Sequence, residues 1–140
     1  MGNLNETPSA NRLHIGIYGK TNSGKSSLIN AVTKQEVSIV ADVAGTTTDP
    51  VYKPMEIHPL GPCVIIDTAG FDDDSELGER RIEKTHLAAE KTDIAVVVLD
   101  IAEVIAAKKA GVPFKKAFKD EAEWSLLFAK KHTPVVFVLN

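Results

Sequence analysis

Residues 19 to 26 read Gly19-Lys20-Thr21-Asn22-Ser23-Gly24-Lys25-Ser26, with a second hydroxyl at Ser27. The spacing is G-x-x-x-x-G-K-S/T, bare backbone followed by one cation and a hydroxyl. Those residue types suit the wrapping of a phosphate chain. Main-chain N–H groups must converge on the anion, and glycine permits both the close approach and the unusual dihedral angles. A helix opening at Lys25 would point the positive end of its dipole at the same charge. On this reading Lys25 reaches the β- and γ-phosphates and serves both binding and catalysis, while the Ser26 hydroxyl is a ligand for Mg2+. Ser23, Gly24 and Ser27 complete the contacts to a nucleotide triphosphate. A glycine-rich turn with a surface lysine would share the composition but not the full pattern between a strand and a helix.

Two further stretches fit the same chemistry. Asp67-Thr68-Ala69-Gly70 closes an apolar run, and an acid there can hold the magnesium through a bound water. The Gly70 N–H can meet the γ-phosphate, so that the segment after it senses whether that phosphate is present. DxxG alone is weak evidence; it gains force from its distance behind the glycine loop. Between the two lies Gly45-Thr46-Thr47-Thr48-Asp49. A threonine here, Thr47 by preference, can complete the magnesium shell when the loop closes; the plainer reading is three threonines solvating a loop.

These stretches need strands and helices to place them. LHIGIY (13–18) reads as a strand stopped by Gly19. Lys25 to Thr33 carries Leu28, Ile29 and Val32 at helical spacing. From Lys34 to Pro50 no period is clean, which predicts a long functional loop. VYKPMEIH (51–58) reads as a strand, with Pro54 assigning it to an edge or bulge. PLGP (59–62) is turn chemistry, and CVIID (63–67) and IAVVVLD (94–100) are strands apolar enough to be buried on both faces. A helix is predicted from about Glu79 to Lys91. Another spans Ile101 to Ala110, ended by Gly111 and Pro113. A third opens at Asp120, with Glu123 three residues on and Trp124, Leu127 and Phe128 on one face. PVVFVLN (134–140) is the last strand. Strands alternating with helices predict an α/β fold, a mostly parallel sheet with flanking helices. Residues 1–11 read as a flexible arm and 12–140 as one nucleotide-binding domain.

Bulk properties narrow the choice. A chain of 140 residues builds one core, and 44% hydrophobic with 25% charged residues is ordinary for a globular protein. Nineteen acids against sixteen Lys and Arg give a net charge of −3, which speaks against nucleic-acid binding driven by bulk charge. The longest apolar runs are too short to span a bilayer, and the polar start carries no signal peptide, so a cytoplasmic protein without a membrane partner is expected. Cys63 is the one cysteine, which excludes an internal disulfide. It is a lone thiol in a predicted buried strand, core rather than ligand, so no iron–sulfur cluster is expected in this segment. His14, His58, His86 and His132, without metal-ligand spacing, are assigned no site.

GKTNSGKSS, GTTTD and DTAG together resemble the TrmE–Era-type GTPases, whose members often use potassium. The run from Ser38 to Leu77, with GTTTDPVYK, MEIHPLGP and the acidic ELGE segment, looks like the N-terminal GTPase domain of the FeFe-hydrogenase maturation protein HydF. The likeness covers residues 12 to about 100. It implies a P-loop NTPase (Ras-like) fold, with GTP and GDP as ligands beside Mg2+ and K+. It implies that Asn22 is a nucleotide contact that ligates the K+, whose fixed charge does what an arginine finger does elsewhere. Phe71 stands where many small GTPases carry a water-positioning glutamine and cannot hydrogen-bond a water. Glu79 matches the position of an acidic water activator in a related GTPase, or simply suits a helix start. Asn140 corresponds to the first residue of the guanine-reading N-K-x-D segment, so the resemblance implies a GTPase domain incomplete at its C-terminus, before the last strand and helix. The stretch from Asp100 to Pro134 departs from the HydF pattern; its KK pairs read as a solvated helix face, or as a partner-binding insertion.

The function implied is a GTP-binding and GTP-hydrolysing switch within a scaffold for maturing the hydrogenase active-site H-cluster. The implied partners are downstream dimerisation and iron–sulfur domains, a second copy of the protein, the hydrogenase and its maturation enzymes. Two alternatives stand beside it: a TrmE/Era-type GTPase of tRNA modification or ribosome assembly, and a nucleotide-loaded docking module with negligible hydrolysis.

Overall fold

Leu13–Tyr18, apolar throughout but for one histidine, forms strand β1 at the middle of the sheet. The computed structural model describes residues 12–20, 23–34, 37–39, 51–68 and 78–140. Helix α1 (Lys25–Lys34) is followed by strands β2 (Val37–Ile39), β3 (Val51–Ile57) and β4 (Gly61–Asp67). Next come helix α2 (Gly78–Lys91) and strand β5 (Ile94–Leu99), then helices α3 (Ile101–Lys109), α4 (Phe114–Ala117) and α5 (Lys119–Lys130), and strand β6 (Val135–Leu139). The sheet runs β2-β3-β4-β1-β5-β6. β4, β1, β5 and β6 are parallel, while β3 runs antiparallel to β4 and β2 antiparallel to β3. This is the α/β architecture the alternation predicts.

Strand periodicity explains the two-sided core. Ile17 and Tyr18, Ile65 and Ile66, and Val98 and Val97 are buried neighbours that fall into opposite hydrophobic clusters, as successive strand residues must. On one face Tyr18, Ile66, Val97 and Leu99 meet Ala88 and Ala89 of α2 and Phe128 of α5. On the other, Ile17, Ile65 and Val98 meet Ile29 of α1 with Met55 and Cys63. Cys63 is a core residue as expected; burial pushes its thiol pKa up, which leaves it a poor nucleophile or ligand. No helix among the described residues is long and apolar enough to cross a membrane.

Four local expectations need correction. Val37–Ile39 lies inside the stretch read as loop, yet pairs with Met55–Ile57 of β3; three residues are too few for a readable period. Pro54 does not mark an edge: β3 lies between β2 and β4, and Pro54 is in register with Val64 of β4, one residue past the described ladder with β2. Phe114–Ala117 was not foreseen as a helix. Nor does Asp120 cap α5: the helix starts at Lys119, its N-cap is Phe118, and no side-chain cap bond forms there. Phe118 is 3% exposed and belongs to the core, so burying its ring outweighs the local capping signal. Helix α3 does follow its caps. The Asp100 carboxylate accepts from the Ala102 N–H at 2.8 Å, and Gly111, at φ +68°, follows the helix end.

Candidate functional site

The site grows from the end of β1. Tyr18 is buried, with its hydroxyl 3.0 Å from Thr92 Oγ1 and its ring against Phe128 and Trp124. Burial pushes its phenol up to about 12, against the opposing pull of the Thr92 hydrogen bond. β1 therefore ends on a fixed side chain, and the chain turns at Gly19. A Cβ on Gly19 would lie 2.6 Å from Ser23 Oγ and 3.0 Å from the Val98 carbonyl, so only glycine fits.

The loop is held by its own backbone. The Lys20 carbonyl accepts from both the Ser23 N–H (3.0 Å) and the Ser23 hydroxyl (2.7 Å). Gly24 sits at φ +92°, and the side chain of Asn140 occupies the space a Cβ there would need. α1 then starts at Lys25 with no acidic residue in its first turn, leaving the dipole's positive end uncompensated by its own side chains. The buried Lys25 ammonium donates to the Gly19 carbonyl at 2.7 Å, folding back across the loop. Ser26 and Ser27 are exposed in that first turn.

Parallel strands deliver the remaining groups to the same edge of the sheet, the carboxyl ends where such folds place their ligands. Asp67 ends β4 in register with Ile17. Its carboxylate lies 3.5 Å from Lys53 Nζ. The buried Thr68 hydroxyl donates to the Ile17 carbonyl at 2.5 Å and latches the end of β4 onto β1. Asn140 follows β6, with its N–H donating to Leu99 O and its carbonyl accepting from the Ile101 N–H, each at 2.9 Å. Ser23, Gly24, Lys25, Ser26, Ser27, Asp67 and Asn140 are thus gathered at one edge. Asn22, Thr47, Gly70 and Phe71 lie outside the described residues. Glu79 lies in the first turn of α2, as placed by the backbone.

A hydroxyl at Ser26 and a carboxylate at Asp67 form a donor set that suits Mg2+, which takes few protein ligands and completes its shell with water and phosphate oxygens. Among the described residues no group of three or more His, Cys, Asp or Glu is placed to hold a metal ion.

Three participants were missed in the sequence. Thr68 was read only as a spacer within DTAG, and Lys53 had no signal. Glu121 had no signal either, yet it is 2% exposed, with its carboxylate 3.7 Å from Lys20 Nζ.

A parallel α/β sheet with a glycine loop entering a helix, ringed by the ends of β4 and β6, defines a P-loop nucleotide-binding domain of the Ras-like type. Residues 14–140 match the family described as 50S ribosome-binding GTPase. The chain belongs to that family, as a GTP-binding GTPase domain of the TrmE/Der/Era type.

Individual proteins agree. The chain is 46% identical over 100 residues to GTPase Der of Wolinella succinogenes, covering 69% of this chain and 21% of that protein. It is 40% identical over 89 residues to the tRNA modification GTPase MnmE of Ruthia magnifica subsp. Calyptogena magnifica, covering 63% and 20%. It thus spans about a fifth of the length of these curated relatives. Among solved structures, Era in complex with MgGDPNP and nucleotides 1506-1542 of 16S ribosomal RNA matches at TM-score 0.60 and 26% identity, over 91% of this chain and 39% of that one. Translation elongation factor SelB from Methanococcus maripaludis shares the fold at TM-score 0.57 and 19% identity, over 91% of this chain and 22% of its own.

Proposed function

We propose that this GTPase domain is the nucleotide-operated switch of a scaffold that matures the H-cluster of FeFe-hydrogenase. The observation that carries the switch is the loop itself: Gly19, Gly24 and the start of α1 form a cradle, with the Lys25 ammonium parked on the Gly19 carbonyl. Exchanging that neutral acceptor for the anionic β- and γ-phosphate oxygens gives the Lys25 ammonium an ion pair in place of an ammonium–carbonyl bond. Ser23, Gly24, Ser26 and Ser27 line the phosphates, and Asn140 begins the reading of guanine. Ser26, Asp67 and Thr47 hold the Mg2+, which neutralises charge on the β- and γ-oxygens when bound. Asn22 holds the K+. Gly70 carries the presence of the γ-phosphate to the segment after it, and Glu79 orients the attacking water in place of the glutamine that Phe71 replaces.

The assignment to hydrogenase maturation rests on the run from Ser38 to Leu77 and its likeness to HydF. Dimerisation and iron–sulfur domains elsewhere in the protein, the hydrogenase and the other maturation enzymes are its proposed partners, in the cytoplasm. A second reading, an RNA-linked GTPase of the TrmE/Era type, is favoured by the identities with Der and MnmE.

Phosphate release measured in potassium and in sodium buffer tests the switch, with Lys25→Ala as the control. Release should be slow, faster in potassium, and absent in Lys25→Ala; equal near-zero rates in both salts would instead describe a docking module. Association of the full-length protein with hydrogenase maturation enzymes, against ribosomal RNA, separates the two cellular roles. Binding to RNA alone would overturn the hydrogenase assignment.

A further inference from the structure

The phosphate loop is tied to α5 as well as to its own helix. Lys20, its second residue, extends its ammonium to within 3.7 Å of Glu121 Oε1 and stands 6.0 Å from the centre of the Phe118 ring. Glu121 is 2% exposed, and its Oε1 has no hydrogen-bond partner among the described residues. A carboxylate drawn this far out of water is costly to keep charged unless a cation faces it. The neighbouring carboxylates, Asp120 on α5 and Glu103 on α3, repel it, while among the described residues acting on it Lys20 brings the opposite charge. The pair therefore fixes where the Lys20 side chain can go.

Fixing that side chain fixes more than one residue. The Lys20 carbonyl is the acceptor for both the N–H and the hydroxyl of Ser23, and Ser23 leads into Gly24 and the first turn of α1. On one side of Lys20, Gly19 offers the carbonyl on which Lys25 rests. Lys20 is thus a pivot: its side chain is fastened to α5, and its backbone carries the turn that wraps the phosphates.

We propose that Glu121 is a positioning residue for nucleotide binding, acting through Lys20 to hold the phosphate loop in its cradle shape. The proposal rests on the phosphate-binding reading of the loop and adds to it a control point on α5, a helix that reaches no phosphate itself. Position in a preformed cradle matters because loop ordering is otherwise paid out of binding energy. Any partner that shifts α5 would change nucleotide affinity through the same pair.

The test is a double-mutant cycle on the dissociation constant for Mg·GDP, read with a fluorescent GDP below the melting temperature of each variant. Glu121→Gln keeps the volume and removes the charge; Lys20→Met keeps the stem and removes the ammonium. Each should weaken binding by roughly five- to thirtyfold, the span expected of coupled neighbours, and the double variant should lose no more than either single one. Lys20→Arg, which keeps the charge and the reach, should stay close to the unaltered protein. A merely structural pair would lower melting temperatures and leave the dissociation constants in place. Glu121→Gln and Lys20→Met within twofold of the unaltered protein, or fully additive losses in the double variant, would overturn the proposal. Lys25→Ala, measured alongside, keeps the two readings apart: if it loses binding while the others do not, only the role of Glu121 is wrong, and if it binds normally the phosphate-loop reading itself fails.

Discussion

Gly24 is the residue on which the geometry of the loop leans hardest. Two separate constraints meet there: a backbone angle of φ +92° and a neighbouring Asn140 side chain in the space where a Cβ would point. Gly111 shares the first constraint, at φ +68°, but has nothing within 4 Å of a built Cβ. Comparing the two substitutions separates strain from collision. Gly111→Ala should cost only the left-handed penalty, about 1–2 kcal/mol, and leave Mg·GDP affinity unchanged. Gly24→Ala should cost more in a urea titration, because Asn140 must move as well, and should weaken Mg·GDP binding at least about tenfold, the factor that a further 1.4 kcal/mol represents. Equal effects of the two on binding would mean that the contact between the loop and Asn140 is incidental.

Helix α5 shows what an element can hide. Its apolar face was readable, since Trp124, Leu127 and Phe128 recur at helical spacing and pack on the core as expected. Its start was not, because Asp120 and Glu123 imitate a capping box while the core claims Phe118 instead. The paired ends of the sheet follow the same division. The strands at 13–18, 63–67 and 94–99 are long apolar runs and stood out. Val37–Ile39 is defined by its ladder with β3 alone. The phosphate loop was legible for a different reason: its chemistry needs fixed residue types at fixed spacing, whereas Glu121 needs only proximity in space to Lys20. That buried carboxylate also has a titration signature. Burial pushes the Glu121 pKa upward; Lys20 pulls it down, and Asp120 and Glu103 push it further up. The folded state then holds the proton more tightly than the unfolded chain does. The associated stability is present below the ordinary glutamate range and is lost as pH rises through the raised value. Relative to Glu121→Gln, the unaltered protein should therefore lose unfolding free energy over that window and level off above it. Urea titrations in steps of pH check the trend, and a difference that is flat with pH would contradict it.

Across the molecule, the site belongs to no single element. It is assembled at the carboxyl edge of the sheet from the end of β1, the end of β4 and the residue after β6, held by Thr68 on Ile17 and by Asn140 against Gly24. β4 and β6 do not touch; β1 and β5 lie between them. A nucleotide with its Mg2+ would bridge groups that the sheet brings near but does not bond to one another. Only the native chain offers that constellation, so a ligand bound there stabilises the fold by mass action, by about 2.7 kcal/mol at one hundred times the dissociation constant. The melting temperature should climb steadily with GDP concentration in the presence of Mg2+. Chelating the metal should shrink the shift, since Ser26 and Asp67 then face the phosphates without a shared cation, and a carboxylate beside a polyanion is repelled. Lys25→Ala should show almost no shift at the same concentrations, although its melting temperature without nucleotide stays measurable. A shift indifferent to both chelation and Lys25→Ala would mean that GDP binds elsewhere on the surface, and that the convergence of three strand ends has another purpose.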